Sequence, residues 1–214
     1  MTRIISRKFL NRQRNIEYEM VVNLDKFTEF IDLPFVSKLL DYVFYVYRAG
    51  NCGGYKTSIG ASEIHIPQIV LDKIRPCHLK EAISRVSVPM NDRNRHEAVL
   101  KSLVVESNNG MVVCELPVWS GRIISGHIDL IELRREEPHI FIWDYKPRSR
   151  LKVEALPSYT QAWIYRQLLA DTLKVPSSLI GYGYFDEELE VTCRDVREVE
   201  NGEEKGNGEK EGTA

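Results

Sequence analysis

The sequence predicts an α/β fold, a mixed β-sheet with helices on its faces, on three observations. Apolar residues recur at helical spacing in two stretches, from Val36 to Val46 and from Tyr159 to Leu173. Residues from Met111 to Lys146 read as successive strands. Strand, helix and strand then follow one another between Ile140 and Phe185, the pattern of a right-handed crossover joining parallel neighbours. With 214 residues, 43% of them hydrophobic, the chain suits one sizeable domain, with an appendage at most.

The start, "MTRIISRKFLNRQR", carries Arg3, Arg7, Lys8, Arg12 and Arg14 and no acid, which suits phosphates or a plain solvated terminus. Leu24 to Arg48 reads as a helix broken near Pro34, with Val36, Leu39, Leu40, Val43 and Val46 forming its apolar stripe. "AGNCGG" is a loop, and "PQIVLDKI" reads as a short helix before Pro76. Residues 1–90 are therefore expected to form a mainly helical N-terminal region packed on a core of residues 91–196.

Asp92 is placed as the N-cap of a helix "RNRHEAVLKSLVVE", in which His96 shares one side with Leu100 and Leu103. "MVVCELPVW", a turn at Ser120 and Gly121, "RIISGHIDLIEL", the polar loop "RREEPH" and "IFIWDYK" follow as strands and their connections. After Pro157, Ser158 is placed as the cap of a helix "YTQAWIYRQLLADTL" that stops before Pro176. "LIGYGYF" and "LEVTCRDV" are two further strands around a turn at Asp186 to Glu188. Residues 197–214 hold six glutamates against one arginine and two lysines, and are expected as a disordered acidic tail; without them the formal charge of −2 becomes about +1.

Cys52, Cys77, Cys114 and Cys193 are scattered, with no C-x-x-C pair and no secretory leader read ahead of them. An intracellular, cytoplasmic protein with reduced thiols is the expectation. "LPFVSKLLDYVFYVY" is interrupted by Lys38 and Asp41 and is too short to span a bilayer, so no membrane partner is expected.

The loop between the last two strands of the β run is centred between Glu136 and Glu137. A symmetric hairpin about that point sets Leu133 opposite Ile140, Asp129 opposite Asp144 and His127 opposite Lys146. Opposed residues on one face have Cβ atoms about 4.5–5.5 Å apart, and like charges there repel. Two carboxylates so placed need a cation or a shared proton. A divalent metal with oxygen ligands answers the need, and an ordinary network of ion pairs among Asp129, Asp144 and Lys146 answers it equally.

"GHIDLI", then "IWDYK", then "YTQAWIYRQLLA" resembles the ordered pattern of the PD-(D/E)XK nuclease superfamily, in its RecB-like branch, which also holds the CRISPR-associated iron-sulfur exonucleases. "RHEAVL" fits the histidine that an upstream helix supplies in that branch. The resemblance covers Arg93 to Phe185, and it implies a restriction-endonuclease-like core and a metal-dependent nuclease that hydrolyses phosphodiester bonds, of DNA ahead of RNA. It implies Asp129, Asp144 and Lys146 as catalytic residues, and His96, Asp129, Asp144 and the main-chain carbonyl of Tyr145 as ligands of Mg²⁺ or Mn²⁺. Glu115 ranks second as a ligand, since a tight turn at Ser120 and Gly121 would pair it with Gly126 and turn it away from Asp129. Gln161 and Tyr165, with His127, are expected to bind substrate or brace the site. The C-terminal cysteine cluster of the iron-sulfur members is missing, so no iron-sulfur cluster is expected. Nucleic acid is the expected partner, and a second copy or a separate helicase or repair subunit stays open. Two other readings stand beside the nuclease: a nucleic-acid-binding subunit without turnover, and a metal-dependent hydrolase of small phosphoesters.

Overall fold

The computed structural model describes residues 2–11, 16–49, 68–86, 92–106, 109–120, 124–147 and 151–195. Among these the chain forms an α/β fold with one eight-stranded mixed sheet flanked by helices. The strands are β1 (Ile4–Asn11), β2 (Ile16–Asn23), β3 (Ile69–Pro76), β4 (Met111–Ser120), β5 (Ile124–Leu133), β6 (Ile140–Tyr145), β7 (Ile180–Phe185) and β8 (Leu189–Asp195). Their order across the sheet is β1-β2-β4-β5-β6-β7-β8-β3. Only β6 and β7 run parallel, joined by the helix α5 (Leu151–Leu173), as the strand, helix and strand pattern predicts. The other helices are α1 (Leu24–Glu29), α2 (Val36–Ala49), α3 (Lys80–Ser84) and α4 (Asp92–Val105).

The sheet is covered on both faces, because alternate residues of its strands divide between two buried clusters. Met20 and Val22 of β2 join α2 and α5, whereas Val21 joins Ile83 of α3 and Val99, Leu100 and Leu103 of α4. The described residues of β4, β6 and β7 are buried almost throughout, and β4 and β6 accordingly read as near-continuous apolar runs rather than alternating ones. Val36, Leu39, Val43 and Val46 face the core and Leu40 packs against it, as the stripe requires.

Three expectations are corrected. The described part of the first ninety residues is not mainly helical: beside α1, α2 and α3 it supplies β1, β2 and β3, which belong to the same sheet as the rest. In β2 the signal is the period-two burial of Tyr18, Met20 and Val22, set in residues of high strand preference. "PQIVLDKI" forms β3 rather than a helix, since its β-branched residues pair with β8, from Ile69 opposite Asp195 to Pro76 opposite Leu189. Ser158 does not open α5, which begins at Leu151. The segment "LKVEAL" ahead of Pro157 is rich in good helix formers, and the helix continues through the proline. Residues 50–54 of the expected loop with Cys52, Gly121 of the expected turn and the acidic tail lie outside the described residues, whereas Ser120 ends β4.

Helix α4 matters most for the site, and its far end is clamped. The last carbonyls of a helix lack intrahelical donors. Here Asn23 Nδ2 donates to Val104 O at 3.0 Å, and Lys26 Nζ donates to Val104 O at 3.0 Å and Met111 O at 3.1 Å. Burial pushes Lys26 down to about 8. At the other edge, Arg166 of α5 is buried, donating to Ser177 O at 2.7 Å and to Asp195 Oδ2 at 2.8 Å, while Tyr182 donates to Asp195 Oδ1 at 2.9 Å. That triad fixes α5 to β7 and β8.

Candidate metal centre

The site lies where β4, β5 and β6 pass under the first turns of α4. Pairing of β5 with β6 runs from Leu133 opposite Ile140 to Leu130 opposite Trp143. The next position in that register sets Asp129 against Asp144, one step beyond the end of the ladder. Tyr145 N donates to Asp129 Oδ2 at 2.9 Å, so the carboxylate takes the place of a ladder partner. His96, one turn ahead of buried Leu100 on α4, brings Nε2 to 3.1 Å from the same oxygen. Its ring also packs on Tyr145, 5.4 Å between centroids.

Glu115 reaches this place by an unusual backbone. Its φ is +55° within a strand, a conformation that costs a bulky residue about 1 kcal/mol or more. Pairing on either side keeps one register, Cys114 opposite Leu130 and Leu116 opposite Ile128, so Glu115 falls opposite Asp129. The expected pairing of Glu115 with Gly126 is therefore corrected: Gly126 lies opposite Val118, and Ser120 opposite Ile124. Three residues separate that last pair, and this longer connection moves the register that a tight turn at Gly121 would set. Glu115 is buried, 3% exposed, with Oε2 at 3.0 Å from His127 Nε2 and Oε1 at 3.9 Å from His96 Nδ1.

Lys146 follows β6 and holds Nζ at 2.7 Å from Asp144 Oδ2, while its main-chain N–H donates to Phe185 O at 2.8 Å. His127 makes its charge contact with Glu115 rather than lying in a ladder opposite Lys146, and its ring stacks on Tyr18 at 4.7 Å. Gln161 Nε2 donates to the Tyr165 hydroxyl at 2.9 Å, the i and i+4 contact expected on one helix face. Tyr165 packs on Gly126, where an added Cβ would fall 2.2 Å from the hydroxyl. This pair thus braces the strand that carries His127 and Asp129.

The charges are strongly interdependent. Burial would raise Asp129, but the charge and hydrogen bond of His96, with His127 and Lys146 behind, hold it below the usual carboxylate range. Asp144 goes the other way, raised by burial and by the charge of Asp129. Burial works against a charged His96, yet Asp129, Glu115 and Asp144 together hold it up at about 9. His127 is raised likewise, its burial outweighed by Glu115 and then Asp129.

Two buried oxygens, Glu115 Oε2 and Asp144 Oδ2, have only the cationic groups of His127 and Lys146 beside them among the described residues, at 3.0 and 2.7 Å. A buried carboxylate oxygen left so is costly in the absence of a further cation. One ligand atom each from the buried Glu115 and Asp129 and the half-buried His127 lies within 4.8 Å of the others, so this group can hold a metal ion. The donor set, carboxylate oxygens with imidazole nitrogens, fits a divalent ion.

Sequence reasoning brought His96, Asp129, Asp144 and Lys146 to one place and undervalued Glu115. It missed Tyr18, for whose strand it offered no element, and Glu187, which accepts from the Tyr145 hydroxyl at 3.1 Å and meets Arg95 Nε at 3.5 Å. Among the described residues no helix is long and apolar enough to cross a membrane. The free thiols of Cys77, Cys114 and Cys193 are buried. Comparison with protein-family models, curated proteins and solved structures gives no match.

Proposed function

We propose that the protein is a metal-dependent nuclease of the PD-(D/E)XK type, hydrolysing phosphodiester bonds of nucleic acid, DNA ahead of RNA. The observation that carries the reading is the convergence of Glu115, Asp129 and Asp144 with His96 and Lys146 at one end of the central strands. The resemblance read from "GHIDLI", "IWDYK" and the α5 motif supports the same assignment. The mixed sheet flanked by helices agrees with the restriction-endonuclease-like core that the resemblance implies.

His96, Asp129 and Asp144 would hold Mg²⁺ or Mn²⁺, with Glu115 raised to equal standing and the Tyr145 carbonyl as a further donor. A divalent cation there supplies positive charge to a phosphoryl oxygen and acidifies water beside it. Lys146 carries its ammonium at the rim of the carboxylates, where it meets the negative charge that develops on the phosphoryl group. Asp144, raised by burial and by the charge of Asp129, would be drawn into its ionised form by the same cation. Asp129 orients His96 and locks the Tyr145 main chain, which sets the direction of Lys146 one residue later.

The experiment is a panel of labelled single- and double-stranded DNA and RNA, linear and circular, with Mg²⁺, Mn²⁺ or EDTA. Metal-dependent cleavage of a polymer supports the nuclease. Metal-independent binding without cleavage replaces it with a binding subunit, and turnover confined to small phosphoesters replaces it with a small-molecule hydrolase.

A further inference from the structure

Two imidazoles, rather than one, border the carboxylates, and the second bears on which ion the site takes. We propose that His127, with Glu115 and Asp129, forms a nitrogen-bearing cation position that selects a divalent transition ion such as Mn²⁺ over Mg²⁺. The inference rests on the metal-dependent reading above and adds the class of ion.

Ligand atoms around one ion at about 2.0–2.2 Å lie up to about 4.4 Å apart. The 4.8 Å spread of the three residues is therefore closed by side-chain adjustments of a few tenths of an ångström. Glu115 adds a sign of a missing ligand: its buried Oε2 has His127 Nε2 beside it at 3.0 Å and no further partner among the described residues, on a residue whose backbone is strained. Two carboxylates also balance the charge of a dication.

His127 is held for this role. Tyr18 of β2 stacks on its ring at 4.7 Å, and Gly126 beside it is pinned under Tyr165. Mg²⁺ is hard, keeps its waters and prefers oxygen, whereas imidazole nitrogen suits first-row transition ions. An imidazole fixed between two carboxylates thus favours the transition ion.

The test is calorimetric titration of the metal-free full chain with Mn²⁺ and with Mg²⁺, without nucleic acid, alongside electron paramagnetic resonance of bound Mn²⁺ in protein carrying ¹⁵N-histidine. The expected result is Mn²⁺ binding about tenfold or more tighter than Mg²⁺, and a histidine nitrogen coupling. His127→Ala should lower Mn²⁺ affinity more than Mg²⁺ affinity, bringing the two together, and should remove a nitrogen coupling. Equal affinities in the wild type, no nitrogen coupling, or a spectrum unchanged in His127→Ala and in the closer His127→Gln would overturn the proposal, since a coupling from His96 alone would survive both substitutions. Mn²⁺ bound through nitrogen by a protein that cleaves nothing would uphold this inference and end the nuclease reading. Cleavage with Mg²⁺ and no coupling that depends on His127 would do the reverse.

Discussion

Asp129 on β5 and His96 on α4 meet at 3.1 Å between Oδ2 and Nε2, one holding the other charged. A histidine must give up that proton to bind a metal. Because His96 is held up at about 9, metal binding near neutrality should release protons, and affinity should fall as pH is lowered. Calorimetry in two buffers of different ionisation enthalpy measures the release; heats that do not depend on the buffer would exclude His96 as a ligand.

The same contact sets a stability profile for the metal-free protein. A histidine raised above its ordinary 6.5 stabilises the fold fully below that value, and the contribution is lost as pH rises through about 9. His96→Gln should flatten this decline in thermal melts between those limits. An unchanged slope would remove the Asp129 contact as its origin.

Asp144 carries the opposite sign. Burial and the charge of Asp129 raise it, so its ionised form opposes folding above the ordinary carboxylate range. Asp144→Asn should therefore raise the melting temperature of the metal-free protein at pH 8, by about 2–4 °C for each kcal/mol relieved, while abolishing cleavage. The gain should vanish at a pH below the ordinary carboxylate value. A variant less stable at pH 8 would contradict the repulsion between Asp129 and Asp144.

Away from the site, Glu190 of β8 is wholly buried against Arg75 and His78. Burial alone would raise it, but His78 and Arg75 hold it low, so its contribution is present above the ordinary carboxylate value and lost as pH falls. Glu190→Gln should make the protein less stable at pH 7 and weaken the acid limb of its stability curve. Asp195→Ala, which leaves the buried Arg166 without its carboxylate, should cost about 3–5 kcal/mol in denaturant unfolding and leave metal affinity unchanged.

How far these features could be read in advance depended on how local their causes are. Leu133 opposite Ile140 followed from the loop length, and the stripe on α2 from its period, because both are short-range. Glu115 was misplaced because its register depends on a connection longer than a tight turn and on a backbone twist at one residue. β1 and β2 were missed because the basic residues of the first strand mask its pattern, and the burial of Tyr18 and Met20 depends on neighbours brought from β4 and α2. Tyr18 reaches His127 only through that long-range packing.

The central claim is that Lys146 acts on a phosphate held by a metal bound to its neighbours, not that it holds the metal itself. Single-turnover cleavage of labelled DNA by wild type and Lys146→Ala, with Mn²⁺ binding titrated on the same samples, tests it most directly. The expected result is cleavage lost by a factor of about 10² or more while Mn²⁺ still binds. Cleavage that survives the substitution, or that survives EDTA in the wild type, would contradict it.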